Sequence, residues 1–474
     1  MLPPVNSRIK HFNLVSLGCP KNRVDSERIL SVMDRAGFLY TQDASRADII
    51  IINTCAFIEP AVEESIEVIL DYRAEHGDAF LVVAGCLPLR YREELKESLP
   101  EVDLFVTLDH IGDLPGILTA AVHKSKDDKP TEYASHPLRT GLKTQEATPG
   151  HEMECFVSGK GSLIQPASDR ILSTQGYAYL KIAEGCSRSC RYCTIPTIRG
   201  PLRSVSPEAL EQEAGFFASI GVRELVLTAQ DLTSYGIDHK EKNSLLVLLA
   251  RISRVKGIKW IRLMYLHPDG IPQGLGKLIT ESENILPYLD IPFQHVSDKV
   301  LKGMGRPWKG DRIRKLVDRL RSQINGLVLR TTLMVGFPVE GEKEFAELQD
   351  FVRSYHIEHV GVFEYSPEEG TPAFSLGDPI PGEVKQERAE EIRRINSRFI
   401  AGRNRRRIGT IEQGLVEGIS LESEFLLQGR TWDQAPEVDG VLYITEGEAS
   451  AGEIHNIKIT GAYGPDLFGA IQSP

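Results

Sequence analysis

From position 11 the chain alternates short, continuous apolar runs with longer stretches in which apolar residues recur every three or four positions. "FNLVSLG", "ADIIIINT", "AFLVVAG" and "VDLFVTL" are runs of the first kind. "RVDSERILSVMDRAG", "EPAVEESIEVILDYRAEHG" and "RYREELKESL" are stretches of the second. Apolar runs without period-two alternation predict strands buried on both faces, and the stretches between them predict amphipathic helices. The pattern fails over 122–175, where "HKSKDDKPTEYASHPLRTGLKTQEATPG" is polar and rich in turn formers. It resumes at 176, with predicted strands "YAYLKIAEG", "ELVLTAQ", "WIRLMYL", "ILPYLDIPF", "LVLRTTLMVGF" and "HVGVFEYS" separated by helical stretches. A long charged helix is expected over 383–407. Beyond 408, short β-type runs alternate with Gly and Pro.

These periods predict an α/β chain in four parts. Residues 11–121 read as a flavodoxin-like domain, a parallel sheet covered on both faces. Residues 122–175 read as a polar linker or insertion. Six βα units over 176–407 predict a partial or complete βα barrel with a trailing helix. Residues 408–474 read as a small all-β barrel. Composition adds exclusions. Of 474 residues, 41% are hydrophobic and 26% charged, which suits large buried cores. The net charge of −11 argues against a generic nucleic-acid binder. No apolar run reaches the roughly 18–20 residues of a membrane span. The opening "MLPPVNSRIKHF" has no apolar signal core, so a cytoplasmic protein is expected.

Seven cysteines are few and odd in number, which favours metal or redox thiols over a disulfide framework. Three of them, Cys186, Cys190 and Cys193, crowd into "EGCSRSCRYCTIP". They follow the first predicted barrel strand, at the end where βα barrels carry their active sites. A structural zinc site normally closes its shell with four ligands. A [4Fe–4S] cluster on three thiolates leaves one iron open to a small molecule. Cys19, Cys55 and Cys86 each follow a predicted strand directly, at spacings of 36 and 31 residues, about one βα unit. Three consecutive parallel strands would deliver them to the ligand-binding edge of the sheet. They are either buried core cysteines or the ligands of a second cluster. Cys155 is left in the polar excursion without an assigned role.

"CSRSCRYC" resembles the signature of radical S-adenosylmethionine (SAM) enzymes. Two three-cysteine sets on these two domain types, followed by a small β-barrel, resemble the radical SAM methylthiotransferases. Those have an N-terminal cluster domain, a radical SAM barrel and a C-terminal TRAM domain. The resemblance implies an enzyme that inserts sulfur into an unactivated C–H bond and methylates it. It implies two [4Fe–4S] clusters, one on Cys19, Cys55 and Cys86 and one on Cys186, Cys190 and Cys193, with SAM bound at the second. It implies that Tyr192 lies near the adenine, and that Gln230 and Asp231 contact SAM. One branch of the family modifies an adenosine in tRNA. The other modifies the β-carbon of an aspartate in protein twelve of the small ribosomal subunit. "SLGCPKNRVDSE", "AQDLTSYGID", "YLDIPFQHVSDKVLKGM" and "GRTWDQAPEVDG" are similar to the ribosomal-protein branch. The tRNA branch typically has Gln-Met-Asn where this chain has Pro20-Lys21-Asn22. Two positions depart from the family: Val339-Glu340-Gly341 stands where Gly-Glu-Thr is usual, and Gly305 where arginine is common.

Charge separates the substrate branches. From Ile408 onward, eleven acidic residues face only Arg430 and Lys458, a net of −9. RNA binding rests on basic residues neutralising phosphates, so this barrel suits a basic protein substrate better than tRNA. Asp433, Glu437 and Asp439, in the turn-rich "WDQAPEVDG", are the expected docking acids. The run "GRNRRR" at 402–407 reads as a solvated helix end or an RNA contact. The alternatives carried forward are a tRNA adenosine methylthiotransferase and a non-catalytic, metal-binding, ribosome-associated protein. An electron donor is implied but not identified.

Overall fold

The protein is described from a computed structural model over residues 11–92, 94–125, 156–157, 170–240, 244–420 and 422–472. The first domain is a parallel sheet ordered β2-β1-β3-β4-β5-β6. Its strands are β1 His11–Ser16, β2 Leu39–Tyr40, β3 Ile49–Thr54, β4 Phe80–Gly85, β5 Leu104–Val106 and β6 Phe156–Val157. The order of the first five is the doubly wound, flavodoxin-like one. Helix α1 (Pro20–Arg35) follows β1, α2 (Glu59–Glu75) follows β3 and α3 (Cys86–Tyr91) follows β4. The four isoleucines of β3 are all buried, as a central strand covered on both faces requires.

Two features differ from the sequence expectation. The third helix starts earlier than "RYREELKESL", at Cys86 itself, and breaks at Arg92, whose φ is 49°. The stretch 122–175 contributes β6, which pairs in parallel with β5. Its far end is anchored by Arg170, whose buried guanidinium pairs with Glu27 on α1 and with Glu213, each at 3.3 Å. Cys155 lies outside the described residues.

The second domain is a parallel sheet ordered β14-β13-β12-β11-β10-β7. Its strands are β7 Tyr177–Lys181, β10 Glu224–Thr228, β11 Trp260–Leu263, β12 Ile285–Asp290, β13 Val328–Val335 and β14 His359–Glu364. The short pair β8 (Ala183–Glu184) and β9 (Arg203–Ser204) flanks the first cysteine loop. Six strands make a partial barrel that stays open on one side. The long helix Gly382–Arg407 then leads into a closed barrel ordered β15-β16-β17-β19-β18. These strands are β15 Ile411–Ile419, β16 Leu427–Thr431, β17 Leu442–Glu446, β18 Ile454–Tyr463 and β19 Asp466–Ile471.

The three domains share one apolar cluster. Val24 of α1 and Leu415 and Ala435 of the closed barrel pack with Tyr177, Tyr179, Val226, Trp260 and Tyr288 of the partial barrel. Burying such side chains stabilises by roughly 1.5–3 kcal/mol each. The loop after β16 therefore plugs the end of the partial barrel where its strands begin. This overturns the docking role expected for two of its acids, Asp433 and Asp439. Asp433 is fully buried and pairs with Arg403 at 2.6 Å and Arg407 at 2.9 Å. Asp439 accepts from Tyr288 Oη at 2.7 Å and stands 3.4 Å from Arg330 and 3.2 Å from His359. Glu437 lies at the surface, paired with Arg23 at 3.0 Å and accepting from Tyr177 Oη at 3.1 Å. The carboxylates of Asp433 and Asp439, so enclosed, are stabilised by internal cations and cannot greet a partner. Arg403 and Arg407 of "GRNRRR" are consumed in the same contacts.

Candidate active site

The N-terminal thiols are gathered by the ends of three neighbouring strands. Cys19 is the N-cap of α1, Cys55 follows β3, and Cys86 opens α3. Gly18 and Gly85 make the turns, with φ of 86° and 97°. A Cβ on Gly18 would lie 2.6 Å from Cys55 Cβ, and one on Gly85 would lie 2.4 Å from the Thr54 carbonyl oxygen. The backbone can approach this closely only without side chains there. Asn22 ties the turns together by donating to the Leu17 and Thr54 carbonyls at 3.0 and 2.8 Å. Burial pushes the Cys55 thiol up to about 12, and charge on Cys86 and Cys19 adds to the shift. Burial likewise raises Cys86, against the pull of Arg199.

The second set is more open. Cys186, Cys190 and Cys193 are all half-buried, in the loop beyond β7 and β8. Burial raises Cys193 to about 12, with Cys190 and Cys186 contributing through their charge. Arg188 donates its backbone N–H to Cys186 Sγ at 3.4 Å. Burial works against the charge on Arg306, but Tyr192 and Cys190 beside it more than compensate. Three mutually repelling thiolates are unfavourable in either pocket as bare groups. A cationic cluster that takes one thiolate per metal would relieve that repulsion. Among the described residues, no three Cys, His, Asp or Glu side chains are arranged to grip a single metal ion. By residue type and number, each set offers the three thiolate donors that a [4Fe–4S] cluster with one open iron would take.

The tertiary structure brings the two sets together. Thr194, next to Cys193, donates its hydroxyl to the carbonyl of Phe57, two residues after Cys55, at 2.9 Å. Arg199, on the helix Ile195–Arg199, reaches across to the first domain, with Nη2 3.2 Å from Cys86 Sγ and in contact with Asn22 Oδ1. Its Nη1 donates to Asp25 at 2.8 Å and to Glu184 at 3.2 Å. Lys181 joins the same acids at 2.5 and 2.8 Å. All of these side chains are almost fully buried. A second clamp is Glu368, which accepts from the Glu59 N–H at 3.0 Å and from Arg90 at 2.8 Å. Arg90 in turn donates to the Ala56 carbonyl at 2.9 Å.

Comparison with known proteins agrees with this layout. Residues 11–107 match the uncharacterized protein family UPF0004, residues 180–352 the radical SAM superfamily and residues 408–471 the TRAM domain. The "Ribosomal protein uS12 methylthiotransferase RimO" of Pelobacter propionicus is 44% identical over 97% of this chain and 97% of its own. Proteins of the same name are 43% identical in Geobacter sulfurreducens, over 97% and 98%, and 42% identical in Aquifex aeolicus, over 97% and 96%. This chain belongs to the radical SAM uS12 methylthiotransferase family. In fold it is similar to TsrM, a radical SAM methyltransferase from Kitasatospora setae solved with cobalamin and a [4Fe–4S] cluster. That likeness has a TM-score of 0.53 at 16% identity, covering 77% of this chain and 74% of TsrM.

Several residues of this methylthiotransferase take positions that its sequence left open. Asp231 is already engaged, accepting from Thr233 Oγ1 at 2.6 Å, Ser234 Oγ at 2.5 Å and Arg188 Nε at 2.8 Å. It shapes the strand-end turn and holds Arg188 beside the cysteine loop. Gln230, half-buried, precedes it. Tyr192 packs against the cluster of Val300, Met304, Phe337, Tyr365 and Ala373. In Val339-Glu340-Gly341 the departures are Val339, which packs against the cluster around Phe337, and Gly341, which caps the helix Glu342–Tyr355, while Glu340 is common to both patterns. Glu340 is buried, accepts from the Gly336 N–H at 3.1 Å and Arg388 at 2.8 Å, and so fixes the loop from within. At Gly305 a Cβ would stand 2.7 Å from the Arg191 side chain. Sequence reasoning missed Arg199, Lys181, Asp25, Glu184 and Glu368. Lys181 and Glu184 form a local i,i+3 pair, but the contacts of Asp25 with Lys181 and Arg199 and of Glu368 with Arg90 cross between domains and leave no local pattern.

Proposed function

We propose that this methylthiotransferase carries two [4Fe–4S] clusters and adds a methylthio group to the β-carbon of an aspartate in ribosomal protein uS12. Cys19, Cys55 and Cys86 would hold one cluster. Cys186, Cys190 and Cys193 would hold the other, with SAM beside it and Tyr192, Gln230 and Asp231 lining its pocket. When bound, a cluster held by Cys186, Cys190 and Cys193 would supply the electron chemistry for SAM cleavage, and one held by Cys19, Cys55 and Cys86 would supply the sulfur chemistry. The observation that carries this reading is the juxtaposition of two three-thiol sets, joined by Thr194 to Phe57 and by Arg199 to Cys86.

The chain's own residues do the positioning. Arg199 balances thiolate charge at Cys86 while its Nη1 is fixed by the buried acids Asp25 and Glu184, so the two domains cannot slide without breaking it. Glu368 closes the opposite side by capping α2 and holding Arg90. Arg306 and Arg188 set positive charge beside the barrel thiols. The TRAM barrel keeps exposed acids at Glu422, Glu424, Glu446 and Glu448, which suits a basic ribosomal protein. No helix among the described residues is long and apolar enough to cross a membrane. A cytosolic setting with a small-molecule or protein reductant as electron donor fits the free thiols.

The test is mass spectrometry of ribosomal proteins and tRNA from cells with and without the gene. The reading requires uS12 to gain the mass of one sulfur plus one methylene only when the gene is present. A gain on tRNA instead would transfer the chain to the other substrate. Anaerobically reconstituted protein should bind about eight iron atoms per chain, four for each cluster.

A further inference from the structure

Lys21 occupies an unusual place. It lies in the first turn of α1, two residues after Cys19, and is 6% exposed. Its ammonium stands 3.3 Å from the centroid of the Tyr265 ring. No ion pair joins it to any described residue. The acids around it are engaged elsewhere: Asp290 with Arg330 at 3.5 Å, and Glu184 with Lys181 and Arg199. A cation in the first turn of a helix opposes the helix dipole, and burying an unpaired one costs desolvation. The Tyr265 ring offsets part of the desolvation cost, but no carboxylate among the described residues is bonded to the ammonium. Charges placed against such local rules mark functional positions.

The surroundings fix where this charge acts. Its own helix begins at Cys19, and the next residue, Asn22, touches Arg199 beside Cys86. Tyr265 follows β11 at the open end of the barrel and holds a left-handed backbone, φ 62°, costly for a bulky residue. That conformation keeps the ring under the ammonium. Lys21 therefore sits between the N-terminal thiols and the barrel end that carries the second set.

We propose that Lys21 receives the side-chain carboxylate of the substrate aspartate and so presents the adjoining β-carbon to both thiol sets. This rests on the protein-substrate reading above. It makes Lys21 a specificity-determining residue. An adenosine offers no carboxylate to bind.

The test uses anaerobically reconstituted holoenzyme and recombinant uS12 bearing either its target aspartate or asparagine there. Wild type should bind the aspartate form about tenfold to a hundredfold more tightly, the range for a hydrogen bond to a buried charge. Lys21→Met should bind the two forms equally, and Lys21→Arg should restore most of the preference. A preference unchanged in Lys21→Met overturns the proposal. SAM also bears a carboxylate, so SAM affinity is measured in the same variants. A tenfold loss there with the uS12 preference intact assigns Lys21 to SAM and overturns the proposal. Loss of half the iron in Lys21→Met makes Lys21 a counter-charge for the N-terminal thiols, which also overturns it. If wild type binds tRNA and not uS12, the protein-substrate reading itself fails.

Discussion

The two cysteine sets hold the same number of thiols by opposite means. The barrel set lies within eight residues of one loop and is half exposed, and its charged neighbours, Arg188, Asp231 and Arg306, all belong to its own domain. The N-terminal set is spread over 68 positions, from 19 to 86, and Cys55 and Cys86 are buried. Its principal cation, Arg199, comes from the other domain. One site is therefore self-contained, while the other is finished only when the domains meet. A cysteine loop can be transplanted as a motif, but a thiol set at strand ends depends on the register of a sheet and on what closes over it.

The largest effects should come from the thiols. Replacing Cys186, Cys190 or Cys193 with Ala is expected to abolish reductive SAM cleavage, read as 5′-deoxyadenosine. The triple change Cys19→Ala, Cys55→Ala, Cys86→Ala should halve the iron, to about four per chain, while SAM cleavage persists and methylthio transfer stops. Full iron content in that variant would mean that the N-terminal cysteines are core residues.

Arginine variants sharpen the contrast between a self-contained and a shared site. Arg199→Met strands the buried acids Asp25 and Glu184 on Lys181 alone. It should cost about 3–5 kcal/mol in denaturant unfolding, the usual result of breaking a buried charge pair. Arg188→Met removes a side chain that is 27% exposed and leaves Asp231 its hydroxyl donors, so its cost should be about 1 kcal/mol. Equal costs would contradict the idea that only one set depends on the domain interface.

Asp433 tests the third domain. Burial opposes its ionisation, but Arg407 and Arg403 hold its carboxyl well below the usual range. A depressed carboxyl stabilises fully above the ordinary aspartate range and loses that contribution as the pH falls through its lowered value. Asp433→Asn should cost about 2 kcal/mol at neutral pH and flatten the acid limb of a stability-against-pH curve. The smallest effect belongs to Glu437→Gln, whose pair with Arg23 is about one-third exposed. It should cost under about 1 kcal/mol. Slower association with uS12 in this variant would restore a docking role to that loop.

Much of the fold was legible because its signals are local. Three of the N-terminal strands and all six long barrel strands lie within their apolar runs, as periodicity demands of strands covered on both faces, and β1 starts one residue before its run. The two-residue β2 and β6 were too short to show a period. Helix α3 was misplaced because its start depends on Gly85 and its end on the left-handed Arg92, neither of which alters hydrophobic spacing. The six cysteines stood out by spacing. The acidic loop was misread because a count of charge cannot distinguish a carboxylate facing solvent from one facing Arg407.

By itself the sequence determined the domain order, the two thiol sets and the family, because spacing, period and residue type are properties of the chain read in one dimension. Only the tertiary structure decided that Arg199 meets Cys86, that Asp433 and Asp439 plug a barrel instead of greeting a partner, and that Lys21 is buried without a counter-ion. Each of those pairings joins residues from different domains or distant elements. Electrostatic energy depends on distance and on exclusion of water, and neither is encoded in sequence separation.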